Sequence, residues 1–319
     1  MKIVFLERKS LGDDINLEQF NNLGDVTMYL TTSKDEVADR IKDADVVIAN
    51  KAPLNEQTLK GAYNLKLICL TATGTNNVDF EYTNSRNIAV CNVKGYSTDS
   101  VVQHTFALLF YLYEKLNHYD EFVKSGQYSD YEVFSYFNEY FCELKGKRWG
   151  IIGLGEIGRG VANIAKAFGC QVVYYSTSGV NNNSEYERVD LEELLATSDI
   201  ISIHSPLNEQ TLNLIDKDEL SKMKKTAVII NVGRGGIINE EALANALDNG
   251  DIAAAGLDVL TTEPIAKDNP LNRIKDSNKL IITPHMAWAT VEARKRLMDE
   301  VYMNIKTYQN GERRNRCDG

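Results

Sequence analysis

Gly153-Leu154-Gly155-Glu156-Ile157-Gly158 directly follows the apolar run Trp149-Gly150-Ile151-Ile152 and directly precedes the amphipathic residues 161–168. Three glycines at this spacing, between a strand pattern and a helix pattern, predict the first turn of a parallel α/β unit. The first glycine permits a tight turn, the second lets backbone approach a pyrophosphate, and the third lets helix pack on strand. Amide groups at the helix start, around Glu156 and Ile157, would then face phosphates. Gly153, Gly155 and Gly158 are therefore expected to bind a dinucleotide.

The rest of the chain agrees with that unit. Short apolar runs alternate with helical stretches in two series, the pattern of βα units around parallel sheets. The first series has strand-like runs at 2–7, 26–30, 44–50, 65–72 and 89–93. The second has them at 148–153, 171–176, 199–204, 227–232, 253–259 and 280–283. Each series reads as its own doubly wound sheet, and 319 residues suit about two domains. Between them, 99–116 reads as one helix apolar nearly all round, a buried connector. Residues 119–149 turn aromatic without a clean strand period, an arm that fits an oligomer contact or packing over its own domain. Residues 292–310 read as a final helix able to return to the first domain. The Asn181–Asn183 run and the basic end Arg313-Arg314-Asn315-Arg316 read as a solvated loop and a solvated tail.

Composition narrows the function classes. The net charge of −10 lacks the basic footprint of a nucleic-acid binder. The opening apolar run is broken by Glu7, Arg8 and Lys9, too short for a signal peptide, and no stretch has the ~20 uncharged residues of a membrane helix. Five scattered cysteines without a C-x-x-C pair fit a reducing compartment, so a cytoplasmic location is expected, with no disulfide framework and no metal site.

The fingerprint normally brings an acidic residue ~20 positions on, which holds the adenosine ribose. Here Ser176-Thr177-Ser178-Gly179 stands instead, with no carboxylate until Glu185 and no arginine until Arg188. Loss of the acid removes the charge that repels a 2′-phosphate, and the hydroxyls suit ribose or phosphate. NAD(H) and NADP(H) both remain open, with Ser176 at the ribose position. Downstream, three ionisable residues end candidate strands, where ligands of such sheets bind. Arg234 lies in Asn231-Val232-Gly233-Arg234-Gly235-Gly236, Glu263 in Gly256-Leu257-Asp258-Val259-Leu260-Thr261-Thr262-Glu263-Pro264, and His285 in Thr283-Pro284-His285. An arginine offers a fixed fork for a carboxylate, a histidine exchanges a proton near neutral pH, and a carboxylate beside that histidine orients it. Singly, each also has a plain structural reading: a loop charge, a cap before Pro264, a strand-end histidine.

The order of these motifs resembles the D-isomer-specific 2-hydroxyacid dehydrogenase family over nearly the whole chain. Thr71-Ala72-Thr73-Gly74-Thr75-Asn76-Asn77-Val78-Asp79 is similar to the family's substrate loop. The resemblance implies a flavodoxin-like substrate domain, 1–98 completed by 287–319, and a Rossmann cofactor domain, 99–286, with a cleft between them. It implies that Arg234 binds and polarises a 2-oxo acid, that His285 is the acid/base, and that Glu263 is its partner. Asp258 would lie near the nicotinamide, with His204, Pro206, Thr211, Val232 and Ala287 beside the cofactor. Backbone at Thr73 and Gly74 would hold the substrate carboxylate, with Lys51 and Tyr96 nearby and Trp288 as a rigid wall. His104 and His118 receive no chemistry.

Pro284-His285-Met286-Ala287-Trp288 and the substrate loop look most like the glycerate dehydrogenase or hydroxypyruvate reductase branch. The implied activity is reversible hydride transfer between a nicotinamide cofactor and a small 2-oxo or D-2-hydroxy acid, in a homodimer. D-lactate or another 2-oxo acid is an alternative substrate. An NAD(H)-sensing corepressor-like protein is an alternative of a different class.

Overall fold

Each strand run becomes a parallel strand, shifted or trimmed by one or two residues at its ends. The computed structural model describes Met1–Asp318, which divide into two units at Ser97/Thr98 and Trp288/Ala289. In the first unit, β1 (Lys2–Phe5), β2 (Asp25–Met28), β3 (Val46–Ala49), β4 (Leu67–Leu70) and β5 (Ala89–Cys91) form a parallel sheet in the order β2-β1-β3-β4-β5. That is the flavodoxin-like order, with a switch point where β1 meets β3. Short helices α1 (Val37–Ile41), α2 (Glu56–Leu59) and α3 (Phe80–Ser85) connect its strands. β3 and β4 are buried at every position, which is why their runs are continuously apolar rather than alternating.

The second unit begins with α4 (Thr98–Tyr113) and α5 (Leu116–Lys124), followed by the strand–helix alternation β6 (Arg148–Ile152), α6 (Glu156–Ala167), β7 (Gln171–Tyr175), β8 (Glu187–Arg188), α7 (Leu191–Thr197) and β9 (Ile200–Ile203). It ends with α8 (Lys217–Lys222), β10 (Val228–Asn231), α9 (Glu240–Asn249), β11 (Ala254–Leu257) and β12 (Leu280–Ile282). The strand order is β12-β11-β10-β9-β6-β7-β8, so the chain reverses direction across the sheet between β6 and β9. Successive residues on one strand feed opposite cores: Ile201 and Ile229 one, Ile200 and Ile230 the other. Gly160 lets α4 lie close on α6, since a Cβ there would stand 2.6 Å from the Val102 side chain.

Three local expectations need correction. The single helix expected over 99–116 is two, because Lys115 takes a left-handed conformation (φ 50°) and its ammonium pairs with Glu139. β8 was not foreseen, because two exposed charged residues carry no apolar period. The basic end is not a free tail: Arg316 bridges to Cys91 on β5, Arg314 pairs with Glu300, and Arg316 pairs with Asp318. Glu300 lies on α10 (Val291–Gln309), which groups with the first unit, packs on β4, and buries Leu297, Val301 and Ile305. Within the aromatic arm Phe122 stacks on Tyr136 with ring centres 4.0 Å apart, yet Phe134, Phe137 and Tyr140 stay largely exposed. Among the described residues no helix is long and apolar enough to cross a membrane.

Candidate active site

The glycine turn follows β6, at the point where the sheet reverses. Gly153 has φ +93°, donates its N–H to Tyr175 O at 3.0 Å, and leaves no room for a side chain, since a Cβ would stand 2.9 Å from Ser205 N. A Cβ on Gly158 would run into the Gly153 carbonyl oxygen. Gly155 differs: a Cβ there would meet nothing within 4 Å. The chain's own packing thus requires two of the three glycines, and the third borders open space. α6 starts at Glu156 without a side-chain cap, so its first N–H groups lack an intrahelical acceptor.

Around this turn, buried polar atoms stand without partners among the described residues: Ser176 Oγ after β7, and His204 Nδ1 and Ser205 Oγ after β9. Glu156, the first residue of α6, is exposed. Backbone donors, hydroxyls and a space bordered by glycine fit a dinucleotide pyrophosphate and ribose. The Asn181–Asn183 loop is more than solvated, because Asn181 Nδ2 donates to Leu154 O at 2.6 Å and ties the loop to the turn. Burial pushes the His204 imidazole down to about 3, so it is neutral at physiological pH. Its Nε2 bonds Ser202 Oγ, which also accepts from Trp149 Nε1.

His285 and Glu263 are brought together, as Nδ1 donates to Glu263 Oε2 at 2.7 Å. An ionised carboxylate only accepts, so the bond assigns the Nδ1–H tautomer and leaves Nε2 for a reacting oxygen. The other Glu263 oxygen takes the N–H of Leu260 at 3.0 Å, which fixes the carboxylate from behind. His285 itself holds φ 55°, a left-handed conformation uncommon outside glycine. Its N–H donates to the carbonyls of Asp258 and Thr283, both at 2.9 Å.

The holder of that conformation is Asp258. Its carboxylate is 2% exposed and accepts from Thr283 Oγ1 at 2.6 Å, Met286 N at 2.7 Å and Ala287 N at 2.8 Å. Asp258 thus folds the 283–287 loop around itself. His104 on α4 joins from the far side, with Nε2 2.9 Å from Thr283 Oγ1 and 3.6 Å from Asp258 Oδ1. Sequence reading gave His104 no part. The only signal for it was a polar ring on a helix otherwise apolar nearly all round.

Arg234 occupies the turn after β10, exposed, with Nη1 donating to Gly233 O at 2.8 Å. Asn231 braces the turn by donating to Arg234 O and accepting from Gly233 N. Gly235 allows it to press against the loop that carries Glu263, because a Cβ there would overlap the Leu260 carbonyl. Val232 and Ala287 are buried; Pro206 is exposed. Thr211, expected beside a cofactor, is fully buried and braces a turn, donating its hydroxyl to Pro206 O while accepting from Asn208 N. Trp288 is half-buried against the core beneath α4.

In the first unit, Lys51 is exposed and its N–H donates to Glu7, as do those of Asn50 and Ala52. Glu7 was not foreseen, because its partners lie more than 40 residues away. Thr73 donates its hydroxyl to Val93 O and receives Asn92 Nδ2 at its carbonyl. Among the described residues nothing accepts the N–H groups of Thr73 or Gly74. Tyr96 is 8% exposed, and its carbonyl accepts from Arg296.

A family model for the D-isomer specific 2-hydroxyacid dehydrogenase NAD-binding domain matches residues 106–287. The chain is 38% identical over 319 residues to the hydroxypyruvate reductase of Blautia hydrogenotrophica, covering 98% of both chains. It is 36% identical over 315 residues to the glycerate dehydrogenase of Methylorubrum extorquens, again covering 98% of each. An acyclic imino acid reductase solved with NADPH and D-Arg superposes with a TM-score of 0.87 at 32% identity, covering 99% of both. The chain belongs to the D-isomer specific 2-hydroxyacid dehydrogenase family. It is an NAD(P)-dependent 2-hydroxyacid oxidoreductase with two parallel-sheet α/β domains.

Proposed function

We propose that the protein reduces hydroxypyruvate to D-glycerate, and the reverse, with His285 as acid/base, Glu263 as its orienting partner and Arg234 as the anchor of the 2-oxo acid. The observation that most supports this is the 2.7 Å bond from His285 Nδ1 to Glu263, which leaves Nε2 to deliver a proton to the carbonyl oxygen. When bound, the nicotinamide supplies the hydride. Arg234 presents a planar fork to the substrate carboxylate and draws electron density from the adjoining carbonyl. Glu263 stabilises the imidazolium that exists before proton delivery. Thr73 and Gly74 amides, Lys51 and Tyr96 are assigned to the substrate carboxylate by motif resemblance, and Trp288 to a wall of the site.

The choice of hydroxypyruvate rests on the relatives named for hydroxypyruvate and glycerate. A homodimer through the aromatic arm is supported by Phe134, Phe137 and Tyr140, respectively 90%, 69% and 77% exposed. Water contact of this kind is what a partner surface relieves. The acidic charge and scattered free cysteines support work in the cytoplasm.

Initial rates with hydroxypyruvate, glyoxylate, pyruvate and a branched 2-oxo acid, using NADH and NADPH in turn, test the reading. Hydroxypyruvate should give the highest kcat/KM, and His285→Gln should lower turnover by ~10²–10⁴-fold. Turnover of the variant within threefold of the parent would overturn the assignment, and no turnover of any 2-oxo acid would favour a sensor.

A further inference from the structure

The end of β7 lacks the acid that would hold a ribose, and a cation stands close to it. Arg188 lies on β8, paired in register with Tyr174 of β7. Its Nη2 lies 4.0 Å from where a Cβ on Gly179 would stand. Gly179 closes the turn Ser176-Thr177-Ser178-Gly179 by donating to Ser176 O at 3.1 Å, with φ +73°. One tight turn therefore gathers three hydroxyl side chains, and the guanidinium rests against it. Among the described residues no acceptor takes the Arg188 side chain, which is exposed. Ser176 Oγ is buried and unpartnered, in a residue 4% exposed.

An unpaired guanidinium over a hydroxyl-lined, acid-free turn is complementary to a dianionic phosphate monoester and has nothing to offer a neutral 2′-hydroxyl in particular. The geometry points to Arg188 as the residue that selects the 2′-phosphate of NADP(H) over the 2′-hydroxyl of NAD(H), assisted by the hydroxyls of the Ser176–Gly179 turn. This rests on the dinucleotide reading of the glycine turn and names which dinucleotide that turn prefers. Arg188 acts on binding alone. It lies at the adenosine end, so it discriminates cofactors without touching the hydride or proton transfer.

Calorimetric titration of the whole protein with 2′,5′-ADP and with 5′-ADP, at fixed ionic strength, isolates the contact from catalysis. The parent protein should bind 2′,5′-ADP at least about tenfold more tightly, as a charge-assisted contact to a phosphate provides. Arg188→Gln, on an exposed edge, should remove most of that margin while changing 5′-ADP affinity by less than about twofold. Thr177→Asp should erode the same margin by repulsion while leaving Arg188 in place. Equal affinities in the parent, or a loss in Arg188→Gln shared equally by both nucleotides, would overturn the assignment. Preferential binding of 5′-ADP would overturn it while leaving the dehydrogenase reading intact. Binding of neither nucleotide would overturn both.

Discussion

The two sheets reach their switch points in opposite chemical states. In the first unit the chain leaving β1 and β3 brings the N–H groups of Asn50, Lys51 and Ala52 onto the Glu7 carboxylate at 2.7–3.1 Å. In the second, the chain leaving β6 and β9 surrounds Gly153 with a buried hydroxyl, a buried ring nitrogen and uncapped helix N–H groups. Both are the crevice where open α/β sheets bind ligands. One has been filled by the chain's own acid, and it serves to hold the Lys51 segment. The other leaves polar atoms without partners among the described residues, and it is the place proposed for the dinucleotide. A ring of amide donors therefore marks a binding site only after its internal acceptors have been accounted for.

The contrast can be broken most forcefully at the open end. Gly155→Ala adds a methyl where the protein has no atom, so it should fold with a Tm within a few degrees of the parent while losing at least tenfold in dinucleotide affinity. Gly158→Ala should fail differently, with a large fall in Tm, because its methyl meets Gly153. Equal nucleotide affinity in Gly155→Ala and the parent would show that the space is not where the pyrophosphate lies. At the filled end, Glu7→Ala should cost about 1–3 kcal/mol in denaturant unfolding, since three amides lose their acceptor, without altering dinucleotide affinity. Loss of nucleotide binding in that variant would erase the distinction between the crevices.

A smaller effect comes from His204, beside the open crevice. Its folded pKa of about 3 lies below the ~6.5 of an unfolded histidine, so between those values the unfolded chain binds more protons. Stability in that window therefore rises with pH: it is complete above about 6.5 and falls as pH drops toward 3. His204→Asn should flatten that slope, measured by urea unfolding at pH 4.5 and 7.5. Identical slopes would place the ring in water rather than in the core.

Asp258 and Glu263 carry a related lesson about legibility. Glu263 could be nominated from the sequence because an acid beside Pro264 at a strand end is a local pattern. Its bond to His285 spans 22 residues and became certain only when the loops met. Asp258 was visible in the same motif, but its work was not. Its partners, Met286 and Ala287, are 28 and 29 residues on, and nothing in a stretch of sequence announces that an acid will accept backbone amides. His104 is further still, 179 residues from Thr283. Thr211 shows the same limit, since no local pattern announces that its hydroxyl is taken up by its own turn.

Short-range pattern was enough for the parallel sheets and the glycine turn, and it nominated Arg234, Glu263 and His285, because period and turn chemistry are encoded within a few residues. Partnership was decided in three dimensions. Whether a polar group faces a ligand or another part of the same chain depends on contacts across tens to hundreds of residues. Glu7 filling one crevice and Arg188 lying unpaired beside the other are of that kind, since backbone position alone determines which charges find an acceptor inside the fold.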